Sequence, residues 1–437
     1  MRIEFFFDFS CPFAYLGSLG VEDVADRTGA ELIWRPMLLG GLFRSLGVVE
    51  GGLQVKKQHD YLDAARWAQL RGVPAPRLRP PDRTVRALRA LLALGEAAWP
   101  ALIHALYRAY WVREVSLDDA DVIAGCLGEA GIDGAARDRA LAANDDPAIK
   151  DRLRQCTDEA VARGVFGAPY LVIDTGKGAE PQGLWGQDRL VMAEALLSGW
   201  DPQAGSPPAE LRRADWAETH LATGTDPGIT MPPAVIEFWY DFSSPYSYLA
   251  ATQIEALAAR SGATLEWRPM LLGALFKEIG TANVPLLAMP EVKRRWMAAD
   301  LALWAAWWNV KFRFASAFPQ RTVTPLRLAL LSGSRIGELS RALYQRIWVQ
   351  DQNLEDESVL REVLAGCGFD PDQMLAGTRD PIIKQRLIDN TAEAASHGIF
   401  GAPAFRVRRG DSARLFWGQD RLDLVERAAQ GQTLPNL

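Results

Sequence analysis

DFSCPFAY at residues 8–15 and DFSSPYSY at residues 241–248 are one phrase written twice, with Cys11 in the first copy and Ser244 in the second. The surrounding text repeats as well. ELIWRPMLLGGLFRSLG at 31–47 returns as TLEWRPMLLGALFKEIG at 264–280, GVFGAPYLV at 164–172 as GIFGAPAFRV at 398–407, and LWGQDRL at 184–190 as FWGQDRL at 416–422. Pro12 maps to Pro245, Trp34 to Trp267, Pro169 to Pro403 and Trp185 to Trp417, an offset of about 233 throughout. Four blocks in the same order define two whole domains. They are expected at 1–200 and 234–437, which suits a chain of 437 residues.

The stretch 201–233 carries six prolines with scattered Gly, Ser and Thr, as a linker does. Within it AELRRADWAETHL, after Pro207 and Pro208, has the makings of one helix.

Each copy opens with an apolar strand (2–8), a helix from Pro12 to near Gly29 and a second strand (31–36). About 120 residues of helical spacing follow, including VKKQHDYLDAARWAQLRG, RTVRALRALLALGEA, ALIHALYRAYWV and DPAIKDRLRQCTDEAVARG. After FGAP come a short strand (170–174), a partner around GLWG and a last helix from Gln187. A β-α-β opening, a helical insertion and a β-β-α close define an α/β fold with an all-helical lobe.

Composition excludes several classes. Hydrophobic residues are 49% and charged residues 23%, and a net charge of −6 with no block of like charge does not suit nucleic acid. No apolar run approaches the ~20 residues that cross a bilayer. MRIEFFFDF is a strand-like start rather than a secretory leader, so a cytoplasmic location is expected. Four cysteines (Cys11, Cys126, Cys156, Cys367) without a C-x-x-C pair and four scattered histidines offer neither a disulfide framework nor zinc-ligand spacing.

Residue 11, like residue 244, falls where the first strand meets the first helix, against the unpaired N–H groups of the helix end. That position is expected to lower the pKa of Cys11 and favour its thiolate. A hydroxyl needs a general base to become a nucleophile, and none of His59, His104, His220 and His397 is close to Ser244 in sequence. Ser244 is better suited to donate a hydrogen bond to a sulfur brought in by a ligand. Both residues also qualify as plain helix N-caps, or Cys11 as a small buried hydrophobe.

Taken together, DFSSPYSYLA, WRPMLLGALF, GIFGAPAF and FWGQDRL resemble the 2-hydroxychromene-2-carboxylate isomerases and the kappa-class glutathione transferases, on the DsbA-like branch of the thioredoxin fold. The resemblance covers both repeats, roughly 200 residues each, and leaves out the linker. It implies two tandem DsbA-like thioredoxin domains, each with a helical insertion, and glutathione as cofactor. In such proteins the Ser before Pro meets the glutathione sulfur, a role that falls to Ser244. The residue before a cis-proline offers its backbone to the cysteinyl part, matching Ala402 and Pro403, and Ala168 and Pro169. The start of the last helix holds the γ-glutamyl end, matching Gln419 and Asp420, and Gln187 and Asp188. An Asn and a Lys near the first long inserted helix match Asn283 and Lys293, while the first copy offers only Lys56.

The first copy therefore departs from the pattern, with Cys11 for Ser, no matching Asn, and Ala14 where a redox motif has its second cysteine. The resemblance implies isomerisation of an aromatic ring-cleavage product by thiolate addition, bond rotation and elimination, on a small aromatic or hydrophobic substrate. Glutathione transfer or thiol–disulfide exchange through Cys11, and non-catalytic binding of glutathione or a partner, remain open. Fusion of two copies also raises an internal pseudo-dimer or a homodimer. Trp296, Trp304, Trp307 and Trp308 suit core packing more than an aromatic pocket.

Overall fold

The computed structural model describes residues 1–48, 53–77, 82–212, 232–282 and 284–436. Two four-stranded sheets follow one plan. The first has the order β2-β1-β3-β4, built from β1 (Arg2–Phe7), β2 (Glu31–Pro36), β3 (Tyr170–Asp174) and β4 (Gln182–Trp185). The second has the order β6-β5-β7-β8, built from β5 (Val235–Tyr240), β6 (Thr264–Pro269), β7 (Ala404–Arg409) and β8 (Ser412–Trp417). The first two strands of each sheet run parallel and the rest antiparallel, with Phe5 opposite Trp34 and Phe238 opposite Trp267.

The central strands explain their own composition. Ile3, Phe5, Phe6 and Phe7 are all buried, because helices cover both faces of the sheet and no face is left for polar alternation. Glu4 is the exception, and its carboxylate binds Arg35 at 2.8 Å and Arg163 at 2.6 Å. Glu237 repeats the device with Arg406 and Arg408. A buried carboxylate is tolerated because it is paired on both oxygens.

The expected helices form with small changes. Pro12–Thr28 ends at Gly29, and Gln54–Leu70, Val85–Leu92 and Pro147–Ala162 stand where the apolar spacing put them. ALIHALYRAYWV begins as an α-helix and turns into a π-helix over Arg108–Val112. The last helix does not start at Gln187. A 3-10 turn, Gln187–Arg189, precedes the helix Leu190–Leu197. In the second copy the opening helix is broken into Pro245–Ala251 and Ile254–Arg260. Thr252 sits at the break, its hydroxyl donating back to the Leu249 carbonyl at 2.7 Å, a bond that competes with helix propagation. Of the helix expected in the linker, Ala209–Arg212 is seen, and the rest lies outside the described residues.

Contacts divide the chain into two compact units, and among the described residues the division departs from the repeat boundaries within the second copy. Pro290–Trp296, which the alignment of repeats gives to the second copy, belongs to the first unit.

Candidate functional site

Asp-Phe-Ser follows the first strand of each sheet, and the acid organises the corner. Asp241 is buried, and its Oδ1 accepts from the Ser243 N–H (2.9 Å), the Ser243 hydroxyl (3.0 Å) and the Thr322 hydroxyl (2.6 Å), while Oδ2 accepts from the Leu272 N–H (2.8 Å). Asp8 does the same with Ser10, Thr84 and Leu39. Burial raises both carboxyls above their usual range, against the pull of these bonds.

Side chains from the helical insertion hold the same corner from the other side. Tyr344 and Trp348 donate to the carbonyls of Asp241 and Phe242, at 3.2 and 3.0 Å, and Tyr107 and Trp111 to those of Asp8 and Phe9, at 3.3 and 2.9 Å. Sequence reading passed over all of these residues. The signals were present, since RTV (83–85, 321–323) and Tyr-x-x-x-Trp (107–111, 344–348) recur in both copies.

On this corner residues 11 and 244 occupy the same place. Both have extended backbone, φ −97° with ψ 117° and 114°, and both precede a proline in the first helical turn. The Ser244 hydroxyl donates to the Ala402 carbonyl at 3.0 Å and accepts from the Ser247 N–H at 3.1 Å. These are its side-chain partners, so no histidine activates it among the described residues. Ser244 is both an N-cap and a hydroxyl at the mouth of the proline turn. The Cys11 thiol donates to the Ala168 carbonyl at 3.0 Å and makes no cap bond.

The Ala168–Pro169 and Ala402–Pro403 peptide bonds are both cis. The glycine ahead of each is required by an indole. A Cβ on Gly167 or Gly401 would stand 2.7 Å from Nε1 of Trp185 or Trp417. Beyond the turn, Gly186 and Gly418 adopt φ of 110° and 103°, and their N–H groups donate to the Pro169 and Pro403 carbonyls at 3.0 Å. This brings Gln187 and Asp188, and Gln419 and Asp420, alongside the cis-proline segments. Asp188 pairs with Arg189 at 2.7 Å and Asp420 with Arg421 at 3.1 Å. Gln187 is buried, and neither its amide oxygen nor its amide nitrogen has a partner among the described residues.

The expected activation of Cys11 is corrected by the fold. Its pKa is pushed up to about 12, chiefly by burial. The helix-end amides of Ala14 and Phe13 act in the expected direction, but Asp8 and Asp60 oppose them. Loss of solvation outweighs two N–H dipoles, so the resting state is the neutral thiol.

Lys293, matched above to a glutathione contact of the second copy, lies in the first unit. Its ammonium lies 4.8 Å from the Trp185 ring centre and 5.6 Å from that of Phe166. Trp296 packs with the same two rings, at 5.5 and 5.2 Å. Lys56 binds Asp60 at 2.7 and 3.0 Å. Asn283 lies outside the described residues. Trp304 and Trp307 are buried, and the Trp304 ring lies 4.8 Å from that of Trp308 with the planes tilted by 46°, which is core packing. The copies differ at one further point. Tyr246 donates to the buried Asp300 at 3.2 Å, whereas Phe13 takes its place in the first copy.

Helix-end hydroxyl, cis-proline turn and mixed four-stranded sheet define a thioredoxin-type protein with a helical lobe. The chain belongs to the family of the DSBA-like thioredoxin domain, whose model matches residues 2–198 and again 235–430. It is similar to a 2-hydroxychromene-2-carboxylate isomerase of Sphingobium xenophagum, 31% identical over 194 residues, which are 44% of this chain and 95% of that protein. A glutathione S-transferase kappa 1 of Caenorhabditis elegans is 28% identical over 214 residues, 46% of this chain and 93% of its own. Among solved structures, a 2-hydroxychromene-2-carboxylate isomerase aligns with TM-score 0.40 and 23% identity, covering 44% of this chain and 93% of that one. Each relative spans less than half of the present chain. No described helix is long and apolar enough to cross a membrane.

Proposed function

We propose that this protein is a glutathione-dependent isomerase of the 2-hydroxychromene-2-carboxylate type, with the second repeat as its working site. The observation that carries the reading is the Ser244 hydroxyl, at a helix N-terminus and 3.0 Å from the carbonyl that precedes cis-Pro403. A donor for sulfur and an extended backbone for a peptide stand side by side there.

The residues fit glutathione. The Ala402 N–H, just outside the β7 ladder, has no partner among the described residues and is available for strand-like pairing with a peptide. Asp420, at the mouth of the next turn, has the charge to receive an ammonium. Glutathione when bound supplies a thiolate nucleophile that is regenerated by the reaction. Ser244 would turn its O–H from the Ala402 carbonyl to that sulfur, and the helix end would favour its anionic form. Asp241, Tyr344 and Trp348 keep Ser244 in place without touching the ligand.

Thiol–disulfide exchange as the main activity is disfavoured by the protonated, buried Cys11 and by Ala14 at the resolving position. Substrate identity is supported by the names of the relatives and stays at the level of a small aromatic ring-cleavage product.

The test is an isomerase assay on 2-hydroxychromene-2-carboxylate, with and without glutathione, for the wild type and Ser244→Ala. Hydrogen bonds to charged groups contribute about 1.5–3 kcal/mol, so the variant should lose about 10- to 150-fold in kcat/KM. Activity that persists undiminished without glutathione contradicts the proposal. Glutathione binding without turnover would make the chain a binding protein.

A further inference from the structure

The two copies differ where the helical lobe meets the edge strand of the sheet. Aligned back from Tyr107 and Tyr344, Trp99 of the first copy stands where the second has Ile336, and His104 where it has Arg341. The alignment holds in space, because His104 pairs with Glu22 at 2.7 Å and Arg341 with the equivalent Glu255. In the first copy the Trp99 indole is buried under the Arg152 guanidinium, 5.9 Å from the ring centre, and Arg152 donates to the Leu92 carbonyl at 2.6 Å. In the second copy Arg386 repeats only the carbonyl bond, to Leu330 and lengthened to 3.5 Å, with no ring beneath it among the described residues.

A cavity of about 880 Å³ opens at this place in the second unit, with Leu265, Trp267, Ile336, Gly337 and Arg386 in its walls. The strand in that wall, β6, is an edge strand. Its Thr264 and Met270 N–H groups point to β5, donating to the Ala234 and Tyr240 carbonyls at 2.9 and 3.0 Å. Alternation along the strand turns the Leu265 and Trp267 N–H groups outward, and neither has a partner among the described residues.

The charges of the walls are mostly committed. Arg268 pairs with Glu393, Arg335 with Glu338, Arg341 with Glu255, and Glu266 with Arg408. Asp389, three residues beyond Arg386, accepts from Gln385 at 2.8 Å. Arg386, exposed at the rim, is in no ion pair among the described residues. The place therefore combines the room left by an absent indole, two outward N–H donors and an unpaired guanidinium.

We infer that this cavity is a second ligand site, separate from the Ser244 corner, and that it takes a planar aromatic carboxylate. The ring fills the space that Trp99 fills in the first copy, the carboxylate accepts from Arg386, and the edge N–H groups are open to oxygen atoms of the ligand. None of the residues matched to glutathione lines the cavity, so the inference stands apart from the glutathione reading.

The probe is 2-naphthoate, with 2-naphthalenemethanol as its uncharged counterpart. Hydrogen exchange on the full chain, read by mass spectrometry, locates it. A ligand of this size should bind with a Kd on the order of 1 mM and slow exchange in the peptide 264–270, which holds the two unpaired amides. Ile336→Trp, which installs the residue of the first copy, should abolish that protection at unchanged Tm. Arg386→Gln should raise the concentration for half-protection about two- to fivefold, and the uncharged probe should need a similar increase. Arg386 is exposed, so Arg386→Gln decides alone if Ile336→Trp does not fold. No protection of 264–270, protection confined to 398–407, equal protection in a folded Ile336→Trp, or an unchanged midpoint in Arg386→Gln would each overturn the inference.

Discussion

Alkylation of Cys11 should be slow, and the structure says by how much. A thiol at its ordinary value of 9.0 that is pushed up to about 12 holds about a thousandfold less thiolate at any pH below 9. The thiolate that does form is the stronger nucleophile, which at a Brønsted slope of ~0.4–0.5 returns a factor of about 16 to 30. The net expectation is a rate about 30- to 60-fold below that of an exposed cysteine, before any penalty for access. The assay is iodoacetamide labelling at pH 8 with mass-spectrometric readout of the Cys11 peptide, using the same peptide in the urea-unfolded chain as reference. The logarithm of the rate should climb with unit slope per pH unit up to pH 10. A plateau below pH 9, or labelling as fast as in the unfolded chain, would refute the view that burial outweighs the helix end.

Two further predictions address the corner. Trp348→Phe leaves the Phe242 carbonyl buried without its donor and should cost about 1–3 kcal/mol in urea denaturation, whereas a loss within 0.5 kcal/mol, on the order expected for surface changes, would deny the indole its latching role. Asp8 and Asp241 have folded-state pKa values above 3.8, so the folded chain binds protons more tightly than the unfolded one. Their contribution is greatest in acid and is lost as pH rises from about 4 through the folded values, and Asp241→Asn should be less stable overall yet show a flatter dependence in that window; a steeper one would reverse the sign.

The sequence carried the repeat, the β-α-β opening and the proline turn, because each is written locally. Gly-Ala-Pro before a strand, proline at a helix start and apolar spacing all act within a few residues. The state of Cys11 was not legible, since the helix end that lowers its pKa is local while the burial that raises it depends on segments far along the chain, such as Ala168, 157 residues away, whose carbonyl takes the thiol proton. The setting of Lys293 was not legible for a similar reason. Repeat alignment assigns a residue to its own copy, whereas packing of Val292 and Trp296 with Phe166 decides where its ammonium ends up. The latching pair Tyr344 and Trp348 lay inside a helix whose apolar spacing already accounted for them, and their recurrence as Tyr-x-x-x-Trp in both copies does not say which polar atoms engage the corner.

The most direct measurement is the ionisation of glutathione bound to the chain, followed by ultraviolet thiolate absorbance in a Cys11→Ala background. The account expects the bound thiol to titrate below about 7.5, against about 8.5 for a free thiol, and to return to the free value in Ser244→Ala. A bound thiol that titrates like the free one, or a lowered value that survives loss of the Ser244 hydroxyl, contradicts it.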